Sequence, residues 1–170
     1  MAPHCPLSGD FFQPLTFTVL GLHCANQKLI KMGTRGLLGF IILGQRHSAY
    51  KHYDSYPEGL GKDIVDFILG LTPEEYSTMA RLVAELTWVP WRSKASLELQ
   101  ERYQQLGYAD LNVSEQSLED WYCLLRKTQG AVALPAIQKG ELKHMIESRR
   151  FSMRMCSLFL AADLKDSFRN

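Results

Sequence analysis

The chain has 170 residues, of which 46% are hydrophobic and 22% charged, and its formal net charge is +1. That balance offers no bulk electrostatic attraction to nucleic acid or to an anionic membrane surface, so neither is expected as a partner. The length suits one domain with a buried core, and the spacing of Cys5, Cys24, Cys123 and Cys156 is not that of a dense disulfide scaffold, which points to reduced thiols and an intracellular, cytoplasmic protein.

Residues 1–31 read as an atypical, disordered leader, or as sequence lying upstream of an initiation site at Met32. Residues 15–25 are mildly apolar but fall well short of the roughly 20 apolar residues a membrane span requires. No Lys or Arg precedes Lys28, so the basic start of a signal peptide is missing. His4-Cys5 and His23-Cys24 are adjacent pairs whose side chains diverge, whereas a zinc site needs four converging ligands. No metal or other cofactor is expected.

Residues 35–43, RGLLGFIIL, form a nearly continuous apolar run. Its aromatic and β-branched members and its two glycines favour a strand buried on both faces over a helix. Gly44-Gln45 offers the positive φ of a two-residue hairpin turn, and residues 46–53 return as a second strand. Neither face of that strand is cleanly apolar, which places it at a sheet edge or along a pocket wall. The loop over 54–61, DSYPEGLG, then turns into a helix marked by Ile64, Val65, Phe67, Ile68 and Leu71. Gly59 and Gly61 admit φ values closed to other residues, and the first amides of the helix are expected to face outward, where an anion is favoured.

Further along, Thr72-Pro73-Glu74-Glu75 has the pattern of a capped helix start with proline at the first helical position. That helix is expected to run to Trp88-Val89-Pro90-Trp91, where two tryptophans around a proline end it. Residues 93–106 predict another helix, stopped by Gly107. Ser117 is expected to cap a helix bearing Leu118, Trp121, Tyr122, Leu124 and Leu125, closed by Gly130; Cys123 within it reads as a buried free thiol. Residues 135–139 suit one helical turn, and residues 141–148 a further short helix. From 149 to 170 the sequence changes character, with Phe151, Met155, Leu158, Phe159 and Ala162 at helical spacing, and reads as a divergent helical or disordered tail. The expected architecture is therefore α+β: an antiparallel β-hairpin at about 35–53, packed by four or five short helices within residues 32–148.

The combination Met32-Gly33-Thr34-Arg35-Gly36-Leu37, the glycine-bearing hairpin and the segment Tyr53-Asp54-Ser55-Tyr56-Pro57-Glu58-Gly59-Leu60-Gly61 resembles an uncharacterised family of small proteins. Its members start M-[CG]-T-R and carry an aromatic-D-[SG]-Y-P-x-G-x-G loop. The resemblance extends through Asp120-Trp121-Tyr122-Cys123-Leu124-Leu125-Arg126-Lys127-Thr128-Gln129-Gly130 and covers residues 32–145. It implies no activity. It does imply aromatic, strand-like sequence after residue 148 to finish the sheet, which this chain replaces with its divergent tail.

The chemistry concentrates in the loop. A phosphate-binding G-x-x-x-x-G-K-[ST] motif fails twice, because Tyr56 stands where its first glycine belongs and Asp63 follows Lys62. An N-terminal nucleophile fails as well, since Gly33 would be exposed behind Met32 and has no reactive side chain. What remains is a polar pocket near Thr34, Arg35, His52, Asp54, Tyr56 and Glu58. Arg35 suits a carboxylate or phosphate, and His52 with Asp54 forms an i, i+2 pair that shares one face if the strand persists. The preferred reading is a small intracellular binding or interaction module taking a small anionic ligand or a protein partner. The alternative is a hydrolase of amide or phosphate bonds using the 52–58 loop, so the sequence leaves open whether the protein is an enzyme. His52 hydrogen-bonded to Asp54 beside a free hydroxyl would favour the enzyme; a filled loop with His52 and Tyr56 buried would favour the module.

Overall fold

The structure, a computed structural model, describes residues 17–20, 35–112, 117–148 and 156–162. Its elements are β1 (Phe17–Leu20), β2 (Gly36–Ile42), β3 (Gln45–Lys51), α1 (Lys62–Leu69), α2 (Pro73–Ala84), β4 (Thr87–Pro90), α3 (Leu97–Gln105), α4 (Trp121–Leu124), α5 (Ala133–Gln138), β5 (His144–Glu147) and β6 (Cys156–Ala162). The fold is α+β, with the expected antiparallel hairpin formed by β2 and β3.

β2 lies inside a four-stranded sheet of order β1-β6-β2-β3. It pairs antiparallel with β3 and parallel with β6. Successive side chains of a strand point to opposite faces, and Leu37, Leu38 and Phe40 are all fully buried. A strand covered on both faces reads as an unbroken apolar run, which is what residues 37–42 supply. Leu38 and Phe40 enter the main core with Ile64 and Ile68 of α1, Met79, Ala80 and Val83 of α2, and Leu134 and Ile137 of α5. α2 begins with a complete capping box: the Glu75 amide donates to Thr72 Oγ1 at 3.3 Å and the Thr72 amide to Glu75 Oε2 at 2.9 Å.

Six local expectations are corrected. The hairpin turn is Leu43-Gly44, one residue earlier than expected, with φ of +50° and +78°; Ile42 pairs with Gln45, which leaves two residues for the turn. Trp88 and its neighbours form strand β4 rather than a helix end. Residues 141–148 hold strand β5 rather than a helix, because β4 and β5 pair in parallel, Thr87 with His144 through Pro90 with Glu147. The helix after Ser117 starts only at Trp121, with Asp120 as its N-terminal neighbour, and lasts four residues. Cys156–Ala162 is a strand, not a helix; it lies between β1 and β2. In the expected leader, residues 17–20 form β1, paired antiparallel with β6. Short-range periodicity cannot anticipate these outcomes, since partners far away in sequence decide them.

The two sheets meet through β3 and β5. The Ser148 amide donates to the Ser48 carbonyl at 2.7 Å. His47 Nδ1 lies 3.0 Å from Glu147 Oε2, and the His47 ring stacks on Trp88 at 4.9 Å between centroids. The mixed pattern of β3 follows from this placement: it is the edge strand of its sheet, and His47 with the Ser48 backbone serves the seam while Ala49 enters the core.

Candidate functional site

β3 ends at Lys51, and the chain then runs through His52 into a sharp bend. Asp54 takes a left-handed backbone with φ of +52°. Its carbonyl accepts from the Leu60 amide at 3.0 Å, while the Tyr56 carbonyl accepts from the amides of Gly59 at 3.0 Å and Gly61 at 3.4 Å. Residues Pro57–Gly61 make one wide helical turn that leads directly into α1. The amides expected to face an anion at the start of α1 are therefore consumed inside the loop, and that expectation is corrected.

The glycines also act differently from expectation. Gly61 is right-handed helical, with φ of −62°. Gly59 is needed for space: a Cβ there would lie 2.7 Å from the Asp54 carbonyl oxygen and 3.0 Å from the Tyr56 ring. The bend closes because nothing projects from residue 59, and the left-handed conformation falls on Asp54, a residue type that tolerates it.

The six expected site residues separate. Thr34 lies outside the described residues. Asp54, Tyr56 and Glu58 are exposed on the bend. Arg35 is exposed one residue before the Gly36–Lys51 pair that ends the β2–β3 ladder, and His52 follows the same pair on the other strand. His52 is half-buried, and its Nδ1 lies 2.7 Å from the Tyr50 hydroxyl, so Tyr50 and not Asp54 is its hydrogen-bond partner. The Tyr53 ring meets the imidazole edge-on at 4.2 Å. Partial burial, and then the guanidinium charges of Arg126 and Arg35, hold His52 below the usual histidine range.

Arg126 is the residue that the sequence reading missed. It follows α4 in a tight turn, where its guanidinium sits 4.9 Å from the Tyr122 ring centre and donates to Gln129 Oε1 at 3.1 Å. Lys51 Nζ donates to the Gln129 carbonyl at 3.3 Å. Gly130, at φ of +74°, packs so tightly on Lys51 that a Cβ there would lie 2.9 Å from its Cδ. The turn after α4 is thereby fastened to the open end of the hairpin. The only signal in sequence was that the two distinctive segments, around 50–61 and 120–130, both carry chemistry-bearing residues; Arg126 and Lys127 there also suit a helix end. Among the described residues, no ion pair engages Arg35 or Arg126.

A second polar cluster stands on α3, α4 and β5. The Tyr103 hydroxyl accepts from the Lys143 amide at 3.2 Å and lies 2.7 Å from His144 Nδ1. Trp121 stacks on His144 at 5.2 Å. Burial, Arg102 and Lys143 keep His144 below its ordinary range. Tyr108 donates to Glu141 Oε2 at 2.7 Å, and burial together with that carboxylate pushes its hydroxyl up to about 12. The cluster fastens α3 to β5, and its hydroxyls are committed to these bonds.

Among the described residues, no group of three or more His, Cys, Asp or Glu side chains is placed to hold a metal ion, and no helix is long and apolar enough to cross a membrane. No family model matches the chain, and neither a curated protein nor a solved structure matches it significantly.

Proposed function

We propose that the chain is a small binding module whose ligand carries a carboxylate or phosphate group, held at the open end of the hairpin by Arg35 and Arg126 beside His52. One observation carries the reading: Arg35 and the turn that bears Arg126 come together at the open end of the hairpin, where His52 follows Lys51, and among the described residues neither guanidinium has a carboxylate partner. Guanidinium is weakly hydrated for a cation and offers forked donors that fit planar or tetrahedral oxyanions. Lys51 and Gln129 brace this arrangement from behind. The buried free thiol of Cys123 fits a reducing, intracellular setting.

The buried loop expected of a module is not met, since Tyr56 is exposed and His52 half-buried, but the hydrolase alternative fails at its catalytic pair. Its general base would be His52 oriented by Asp54, but Tyr50 engages His52 and the Asp54 side chain is exposed beyond the bend. The test is titration of the full chain with inorganic phosphate and with acetate, followed by backbone amide NMR shifts. Saturating shifts are expected at residues 35, 52 and 126. Arg126→Gln removes a charge-assisted bond, which is worth about 1.5–3 kcal/mol, so phosphate affinity should fall roughly tenfold or more. Uniform, non-saturating shifts across the chain would end the reading.

A further inference from the structure

We infer that the site takes up its anion together with a proton: His52 passes from imidazole to imidazolium as a tetrahedral dianion settles on Arg35 and Arg126. The inference rests on the binding reading above and adds its regulation.

Three placements carry it. Arg35 and His52 each lie one residue beyond the Gly36–Lys51 pair that ends the ladder, at the same open end of the hairpin. The Arg126 turn is tied to the end of β3 by bonds from Lys51 Nζ to the Gln129 carbonyl and from Arg126 Nη1 to Gln129 Oε1. The Tyr50 hydroxyl sits 2.7 Å from His52 Nδ1. Tyr50 and Tyr53 contact the imidazole directly, while Arg35 from the residue before β2 and Arg126 from the turn after α4 bring positive charge toward it. Lys51 is directed to Gln129, and Asp54 is exposed past the bend.

A third positive charge near two guanidinium groups is opposed, in keeping with the lowered proton affinity of His52, which burial lowers first. An anion on Arg35 and Arg126 cancels that opposition and supplies a counter-charge. The proton balance is simple. One proton comes from solvent to the imidazole, and no other covalent bond changes. In the Nε2–H tautomer, Nδ1 accepts the Tyr50 hydroxyl hydrogen. In the imidazolium, Nδ1–H donates to Tyr50 Oη instead, so the hydroxyl hydrogen is freed to turn toward the anion.

The experiment follows the imidazole signals of the full chain by NMR from about pH 5 to 8.5, the span over which histidine titrates, in sodium chloride and in sodium sulfate at equal ionic strength. Sulfate stays dianionic throughout, so only the protein takes up protons. The His52 signal is identified by its absence in His52→Gln. The expected result is a His52 midpoint raised by on the order of one pH unit in sulfate, with the shift lost in Arg126→Gln while His144 stays in place. Saturating sulfate shifts at residues 35 and 126 with an unchanged His52 midpoint would overturn the proton coupling and leave the binding reading standing. Absence of saturating shifts around Arg35 and Arg126 would overturn both.

Discussion

Leu43 occupies a backbone conformation that leucine rarely adopts. It sits at φ of +50° as the first residue of the two-residue turn, largely exposed, with Gly44 at +78° behind it. Two positive φ values are the mark of the turn type that asparagine-glycine fills best. Leu43→Asn is therefore expected to stabilise the protein by roughly 0.5–1 kcal/mol, since the left-handed penalty for an ordinary residue is about 1–2 kcal/mol and asparagine avoids part of it; the denaturant midpoint should rise with an unchanged slope. Gly59 gives the opposite case. Its added Cβ would meet a backbone carbonyl, which cannot swing aside as a side-chain tip can. Gly59→Ala should cost about 1–3 kcal/mol, the range of overpacking, seen as a lower urea midpoint together with amide shifts at Asp54 and Leu60. At this scale the sequence was legible in kind and not in detail. A glycine-bearing bend was plain, but whether a glycine serves φ or space depends on which carbonyl folds back over it, and the Asp54 carbonyl is visible there only in three dimensions.

The elements show how distant partners override local pattern. The capping box of α2 and the buried run of β2 were readable because each is written in consecutive residues. β4 and β5 were not, since four-residue strands carry too little periodicity to oppose a helical reading, and each exists by pairing with the other. The candidate site divides likewise. Arg35 and His52 belong to one hairpin and were legible; Arg126 arrives from an element some 70 positions away, as the numbering shows. The junction of α3 with β5 supports a prediction about acid. His144 holds its proton less tightly when folded than when unfolded, owing first to burial and then to Arg102 and Lys143. The unfolded chain thus binds more protons between the lowered folded value and the ordinary value of about 6.5. Stability is expected to be full above that ordinary value and to fall as pH drops through this window, levelling off below it. His52, also lowered, contributes in the same direction. Denaturant midpoints at descending pH check this, and His144→Gln should flatten part of the decline. Tyr103→Phe leaves the Lys143 amide without its hydroxyl acceptor and should cost about 1–3 kcal/mol at neutral pH.

Across the whole molecule, the packing of β2 is the common support. Phe40 is fully buried among side chains from the helices and from β4. Phe40→Ala should remove about 3–5 kcal/mol, a large share of the stability of a domain that holds of the order of 5–15 kcal/mol; calorimetry would register a much lowered transition. The backbone of β2 depends on β6 along one side, from Gly36 opposite Cys156 to Ile42 opposite Ala162. A chain stopped at residue 155 would present that side of an apolar strand unpaired, and unpaired apolar edges recruit other chains. Light scattering is expected to show association of the shortened chain at concentrations where the full chain stays monodisperse; equal dispersity would count against the pairing.

The insertion of β6 between β1 and β2 has a further result in time. During synthesis the ribosome releases β1, β2 and β3 long before the strand that belongs among them. Until residues 156–162 emerge, the sheet cannot take its final order, and β1 lacks the strand that it pairs with among the described residues. Contacts that span such separations close slowly. The nascent polypeptide therefore waits in an incomplete state with the hairpin formed early and the sheet sealed last.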